Sequence, residues 1–256
     1  MIEIIVLGCD GGVGPGLRTT SLLIGDRVLL DAGTGACDLS PEQMAALTDI
    51  FLTHSHLDHV IGCAFIADNR LSRAAASLAL HAPEATLSAL RAHLFNWVLW
   101  PDFTTLSGQG GEAVIRMEPM QPGRPVIRQG FTLSAFPVLH TVPAVGYVIS
   151  DASSCVAFSG DTYADDAMWS ALNALPRLDA LIIEVAYPDE AETVGYHSRH
   201  LYPTRLGVEL RKLEHRPELL LTHPKPGMEA TIESQCRKAL AGWRYRHLRR
   251  GELIRI

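Results

Sequence analysis

The sequence predicts an α/β protein built as a layered sandwich of sheets and helices, and three observations carry that reading. Short apolar runs of strand character alternate along the chain with stretches of helical period. Hydrophobic residues make up 47% of the 256 positions and charged residues 20%, which is enough apolar mass for a sizeable core. No tandem repeat, low-complexity stretch or linker interrupts the alternation. Layered α/β folds of about 250 residues often form one unit, so residues 1–256 are read as a single domain.

Three strand-like runs open the chain: IEIIVL (2–7), TTSLLI (19–24) and RVLLDA (27–32). Pro41 begins a short helix, where its missing N–H costs nothing. DIFLT (49–53) is a fourth strand, apolar enough for burial on both faces. Val60, Ala64 and Ala67 then share one helical face, and Pro83 opens a helix over 84–93. Residues 104–125, rich in Gly, Pro and Gln, read as a surface excursion. Strands return at 131–139, 145–150 and 154–158. Met168, Ala171, Leu172 and Leu175 recur at i, i+3, i+4 and i+7, which predicts a helix over 164–175. DALIIEV (179–185) is a buried strand, and Pro203 starts a helix with Leu206, Leu210 and Leu213 on one face. ELLLT (218–222), a helix near 229–240 and a last strand, ELIRI, complete the series.

Bulk charge narrows the partners. A net charge of −6 and a pI of about 6.0 argue against a broad nucleic-acid or anionic-membrane footprint, so no extended nucleic-acid partner is expected. The five cysteines are widely spaced and form no CxxC pair, so they read as buried apolar residues in a reducing compartment. MIEIIVLG lacks the basic start and apolar length of a signal peptide, and no run approaches the roughly 18 apolar residues of a membrane span. The expectation is a cytoplasmic protein without membrane contact, and nothing in the sequence excludes a homodimer.

GCDGGVGPG (8–16), with Asp31 twenty residues beyond Gly11, imitates a dinucleotide-binding fingerprint. That fingerprint needs its glycines to open a helix. Here β-rich TTSLLI follows, so the dinucleotide site is rejected. The glycines are expected to form a tight loop beside the active site, and Asp31, ending its strand, to support the residues around it.

THSHLDH (53–59) follows an apolar strand with a cluster of candidate ligands. His54 and His56, two apart in extended chain, project to one side. Asp58 and His59 fan apart where the chain turns into a helix. His140, Asp161 and His223 stand at the ends of later strands. Five imidazoles and two carboxylates, with no thiolate, fill two sites if Asp161 bridges: His54, His56, His140 and Asp161 around one ion, and Asp58, His59, Asp161 and His223 around the other. Two ions about 3.5–4 Å apart can hold a hydroxide and clamp both oxygens of a displacement.

The histidine cluster with its later His, Asp and His resembles the HxHxDH signature of the metallo-β-lactamase superfamily. The resemblance implies an αββα sandwich, two mixed sheets flanked by helices, with a dinuclear site at one sheet edge. His56 stands where oxygen-reducing di-iron relatives usually carry a carboxylate, which favours hydrolysis, and no cysteine occupies a ligand position. The series LGCDGGVGPGLRTTSLLI, LLDAGTGACDLS, FLTHSHLDHVIG, HLFNWVLWPDF, VGYVIS, FSGDT, LIIEVAYP, SRHLYPTRLGVELRKL and THPKPG is similar, in that order, to the class II cyclic-nucleotide phosphodiesterases. That similarity implies hydrolysis of a 3′,5′-cyclic nucleotide, cAMP or cGMP, to the 5′-monophosphate, with two divalent ions per chain. Zinc is the expected ion, with manganese and iron compatible.

By similarity to nucleases of the superfamily, Glu184 orients His200, which donates a proton to the departing 3′ oxygen. Asp58 is counted with this pair as catalytic, and His197 is the nearby competitor. Lys225 is expected to meet phosphate, and Trp97, Trp100 or Phe103 in FNWVLWPDF to stack on the base. His81, His93, His215 and His247 fit no cluster. The chain departs from the family pattern at Arg199 and Tyr202, where Gly and Thr are usual, and at Pro224, where Leu is usual. Alternatives are a tRNA 3′-processing endonuclease or another ester hydrolase of the superfamily, and a non-catalytic metal-binding scaffold. The first would need a basic arm that this chain lacks; the second would be expected to have lost ligands.

Overall fold

The computed structural model describes residues 1–256, Gln109 by its backbone alone. In chain order the elements are β1 (Glu3–Gly8), β2 (Ser21–Ile24), β3 (Val28–Leu30), α1 (Pro41–Ala46), β4 (Asp49–Phe51), α2 (Leu57–Val60), α3 (Gly62–Ser72), β5 (Leu78–Ala82), α4 (Glu84–His93), β6 (Ile115–Pro119) and β7 (Val126–Arg128). They continue with β8 (Phe131–Pro137), β9 (Val145–Ser150), β10 (Cys155–Phe158), α5 (Asp166–Asn173), β11 (Ala180–Glu184), α6 (Glu192–Ser198), α7 (Pro203–Glu209), β12 (Glu218–Thr222), α8 (Glu229–Ala239), β13 (Tyr245–His247) and β14 (Leu253–Arg255). Two seven-stranded sheets result, ordered β14-β1-β2-β3-β4-β5-β6 and β13-β12-β11-β10-β9-β8-β7. Each sheet begins with antiparallel pairs and ends with parallel ones, β3 to β6 in the first and β10 to β13 in the second.

The apolar residues segregate into three layers. Ile4, Leu22, Phe51, Tyr147, Phe158 and Ile182 meet between the sheets. Helices α2, α3 and α4 cover the outer face of the first sheet through Val60, Ile66 and Leu87. Helices α5, α7 and α8 cover the second through Met168, Leu206 and Ile232. Each large side chain so buried is worth about 1.5–3 kcal/mol. Two sheets between two helical layers make the αββα sandwich that the resemblance implies, within the layered α/β class that the alternation predicts.

Helix α1 shows a sequence device made visible by packing. Ser40 caps its start by accepting from the Gln43 N–H, while the Gln43 side chain returns to the Ser40 N–H. At its other end the buried guanidinium of Arg70, on α3, donates to the carbonyls of Met44, Ala45 and Leu47. Those carbonyls have no partner inside the helix, so a charged side chain is buried without an anion beside it.

The structure corrects the reading of residues 104–125. They hold β6, paired in parallel with β5, and Val114, Ile115 and Met120 are buried. Charged Arg116 and Glu118 on its open face hide the strand in the sequence. β5, β7, β13 and α6 also escape the pattern reading, all of them short, and Leu213 lies one turn past the end of α7 although it is buried. Among the described residues no helix is long and apolar enough to cross a membrane.

Candidate metal centre

The carboxyl ends of the parallel strands share one edge, and there the sequence's separate clusters meet. β4 delivers His54 and His56, α2 carries Asp58 and His59, β10 leads to Asp161, and β12 leads to His223. His140 follows β8. Val145 N–H donates to Thr53 O at 3.0 Å and binds the second sheet to the histidine loop of the first. Two glycines permit the close approach. A Cβ on Gly11 would lie 2.6 Å from His223 O, and one on Gly33 would lie 2.3 Å from Asp58 O. The glycine-rich loop thus passes beside the site, as expected, and opens no helix.

Asp161 is the hub. Its carboxylate lies 3.3 Å from His59 Nε2, 3.4 Å from His223 Nε2, 3.8 Å from His54 Nε2 and 3.9 Å from His140 Nε2. Two four-residue groups share it: His54, His56 and His140 on one side, and Asp58, His59 and His223 on the other, with ligand atoms in each group within 4.8 Å of one another. Asp58 Oδ2 is 3.8 Å from His59 Nε2 and 3.9 Å from His223 Nε2. Of the set, Asp58 and His56 are the most open to solvent and His54 and His59 are fully buried.

The tautomers follow from the outer hydrogen bonds. The Thr53 hydroxyl gives its one proton to Asp31 Oδ2 (2.9 Å), so it must accept from His54 Nδ1 (2.9 Å). His59 Nδ1 donates to Asp31 Oδ2 at 2.7 Å, and His140 Nδ1 donates to the Arg199 carbonyl at 3.1 Å. In the neutral rings each Nε2 then carries a lone pair and faces the cluster. His54 Nε2 and His59 Nε2 are buried without a hydrogen-bond partner. These two lone pairs, aimed at one carboxylate without a donor to meet them, fit a divalent cation, and nitrogen and oxygen ligands without thiolate are a set that zinc and its neighbours accept. The folded chain spends backbone strain here as well: Asp31 and His223 sit at φ 54° and 67°.

Electrostatics split the set: in the metal-free chain His54 and His223 favour the neutral, ligating form and His59 the charged one. Burial works against charge on His59, but Asp161 and Asp31 on either side outweigh it and hold its pKa well above the ordinary value. Burial likewise opposes ionisation of Asp161, yet His223 and His59 hold its pKa well below the carboxylate range. His54 and His223 are pushed well down, chiefly by burial, and so stay neutral and able to ligate. The five cysteines, four buried and Cys37 half-buried, are all pushed up by burial, as inert thiols are.

Beside the cluster stands a second constellation. His200 Nδ1 is 2.8 Å from Glu184 Oε1, and its Nε2 is 4.0 Å from Asp161 Oδ2. Glu184 is fully buried and also accepts from Thr162 N (2.7 Å) and Leu201 N (3.3 Å). Burial opposes charge on His200, but Glu184 outweighs it and raises the pKa. His197, the competitor, is exposed on α6. Lys225 Nζ lies 3.0 Å from Gly11 O and 3.2 Å from His223 Nε2, at the rim of the cluster.

The aromatic expectations fare less well. Phe103 is buried in the helical layer against Phe95, so its faces are taken by packing and it is no stacking surface. Trp100 is half-buried, packs on Phe65 and donates its Nε1–H to Ala64 O at 3.1 Å. Trp97 alone stays open, 62% exposed. Sequence reading missed a cavity of about 330 Å³ adjoining Asp58, lined by Val13, Leu57 and Ile61 with the glycine loop. It also missed Thr53 and the Arg199 carbonyl. Thr53 stands directly before the first histidine, whereas a backbone carbonyl leaves no trace in sequence.

Residues 26–223 match the family described as "Beta-lactamase superfamily domain". A probable 3′,5′-cyclic-nucleotide phosphodiesterase of Yersinia pestis is 29% identical over 255 residues, covering 83% of this chain and 72% of that protein. A ribonuclease Z of Bradyrhizobium sp. (strain ORS 278) is 32% identical over 55% of this chain and 46% of its own length. Among solved structures, unliganded yeast PDE1 superposes with a TM-score of 0.83 at 19% identity, covering 98% of each chain. With the matched family spanning the histidine loop through His223, the chain belongs to the metallo-β-lactamase superfamily and is a hydrolase resembling the class II phosphodiesterases.

Proposed function

We propose that the chain, as one domain over residues 1–256, is a dinuclear metal-dependent phosphodiesterase that hydrolyses a 3′,5′-cyclic nucleotide to the 5′-monophosphate. The Glu184–His200 pair beside Asp161 carries the reading. His54, His56, His140 and Asp161 would hold one divalent ion, zinc in the first instance, and Asp58, His59, Asp161 and His223 the other. Bound there, such ions supply a nucleophile at neutral pH and neutralise charge on the phosphoryl oxygens.

The remaining requirement is a proton. Water's oxygen joins phosphorus, the bond from phosphorus to the 3′ oxygen breaks, and that oxygen leaves as a reluctant alkoxide. His200 holds its Nδ1–H on Glu184, so its Nε2–H is free to protonate the leaving oxygen. Lys225, already at the rim, meets a phosphoryl oxygen. The apolar cavity of Val13, Leu57 and Ile61 next to Asp58 takes the base, with Trp97 as the remaining aromatic candidate.

Likeness to a protein named as a cyclic-nucleotide phosphodiesterase across 83% of the chain supports this substrate. The ribonuclease Z likeness favours a second reading, phosphodiester cleavage in RNA, over a shorter part of the chain. Metal-loaded protein incubated with cAMP, cGMP, 2′,3′-cyclic nucleotides and a precursor tRNA decides between them. Steady release of 5′-monophosphate is expected. Cleavage of the tRNA alone, or of thioesters or lactones alone, would overturn it.

A further inference from the structure

Away from the metal centre a cavity of about 730 Å³ opens between α8, β13 and the turn before β14. Arg237, Arg246, His247, Arg249 and Arg250 line it, against Glu233 and Glu252. Such a concentration of arginine is unexpected in a chain of net charge −6. Two of the arginines are committed: Arg246 pairs with Glu218 at 3.3 Å and with Glu252, and Arg250 pairs with Asp38 at 2.7 Å. The guanidinium groups of Arg237 and Arg249 have no hydrogen-bond or ion-pair partner among the described residues. His247 lines the same cavity, and its Nε2 is buried without a partner.

We infer that this cavity binds a phosphate dianion, supplied either as inorganic phosphate or as the phosphate of a nucleoside 5′-monophosphate. Each guanidinium is a planar fork of donors matched to two oxygens of a tetrahedral oxyanion. Each uncommitted fork can take two oxygens, so the pair can engage the three terminal oxygens of a phosphate monoester, whereas a 3′,5′-cyclic diester offers only two. Glu233 and Glu252 keep negative charge in the lining, which disfavours a long polyanion such as a nucleic-acid strand. The place in the fold adds a link. Leu248, between the lining residues His247 and Arg249, donates its N–H to Leu221 O at 2.8 Å and accepts from Cys9 Sγ at 3.5 Å, and Cys9 O accepts from His223 N at 2.6 Å. The cavity and the metal centre therefore hang on the same Cys9 segment. The nucleotide source rests on the cyclic-nucleotide reading, since a 5′-monophosphate is that reaction's product; the inorganic source does not.

Calorimetric titration of the metal-loaded full chain at constant ionic strength tests it, with inorganic phosphate, 5′-AMP and cAMP as titrants. The Arg237→Gln/Arg249→Gln double variant should lose one phosphate-binding event, or bind it about tenfold or more weakly. The event at the metal centre should remain. Metal content and melting temperature serve as folding controls. If the double variant loses either, Arg249→Gln alone decides. Superimposable phosphate isotherms for variant and native chain overturn the inference. 5′-AMP binding tighter than inorganic phosphate assigns the nucleotide source; equal affinity assigns the free anion. A chain that turns over no cyclic nucleotide but still shows the arginine-dependent phosphate event sinks the substrate reading alone.

Discussion

Replacing the His200 ring by a methyl group removes a proton donor and leaves the seven clustered side chains in place. His200→Ala should therefore keep its metal and lose about 10²–10⁴ in rate on a cyclic nucleotide, whose alkoxide needs the proton. On a p-nitrophenyl phosphodiester, whose phenolate leaves unaided, the loss should be far smaller. Glu184→Gln should follow the same pattern more weakly, because it orients the ring and supports its charge. Equal loss on both substrates with metal content intact would remove His200 from the acid role. Glu184 was readable as a strand end and His200 as the approach to the Pro203 helix, and similarity paired them; their 2.8 Å contact joins the end of β11 to the turn after α6. The tautomers of His54, His59 and His140 depend likewise on Thr53, Asp31 and the Arg199 carbonyl, partners drawn from different strands and turns.

At the scale of elements, the end of α6 explains a departure from the family pattern. Arg199 caps the helix at φ 58°, ψ 48°, the left-handed region that glycine enters without cost. Arginine there is strained by about 1–2 kcal/mol, while glycine in its place costs about 0.5–1 kcal/mol in chain entropy. Arg199→Gly relieves the strain but loses the guanidinium over the Tyr196 ring, so it should exceed Arg199→Ala in stability by about 0.5–1 kcal/mol, roughly two degrees in melting temperature. Arg199→Ala keeps the strain and loses the guanidinium over the Tyr196 ring, 5.1 Å away, so it should melt lower. A glycine variant no more stable than the alanine variant would refute the strain. The longer periodic elements α3, α4, α5 and α8 were legible because their apolar spacing survives on one face. β5, β6, β7 and β13 were not, since a strand of three to five residues offers too few alternations to separate from a loop.

For the molecule as a whole, metal and fold are coupled but not inseparable. The three apolar layers are extensive and owe nothing to the centre, so the chain should stay folded when its ions are stripped by chelation. It should nevertheless melt lower. An ion at a thousand times its Kd contributes about 4 kcal/mol, which for a chain of this size is on the order of ten degrees. Differential scanning calorimetry before and after EDTA, with elemental analysis, measures both. Identical melting curves with two ions bound and none would contradict the coupling, and one ion per chain would remove the shared role of Asp161.

The sequence by itself determined the sandwich, the ligand types and the strand ends that carry them, because strand period, helix period and a seven-residue histidine loop are all local signals. The two groups sharing Asp161 were already expected from the sequence, and the tertiary structure decided what holds them and what surrounds them. Asp161 meets four imidazoles because strands of both sheets end at one edge. Phe103 is lost to the core and Leu57 gained at the cavity because burial belongs to the packed layers and not to the residue. Arg237 and Arg249 line one cavity although one lies on α8 and the other past the end of β13, a juxtaposition that their spacing along the chain does not record.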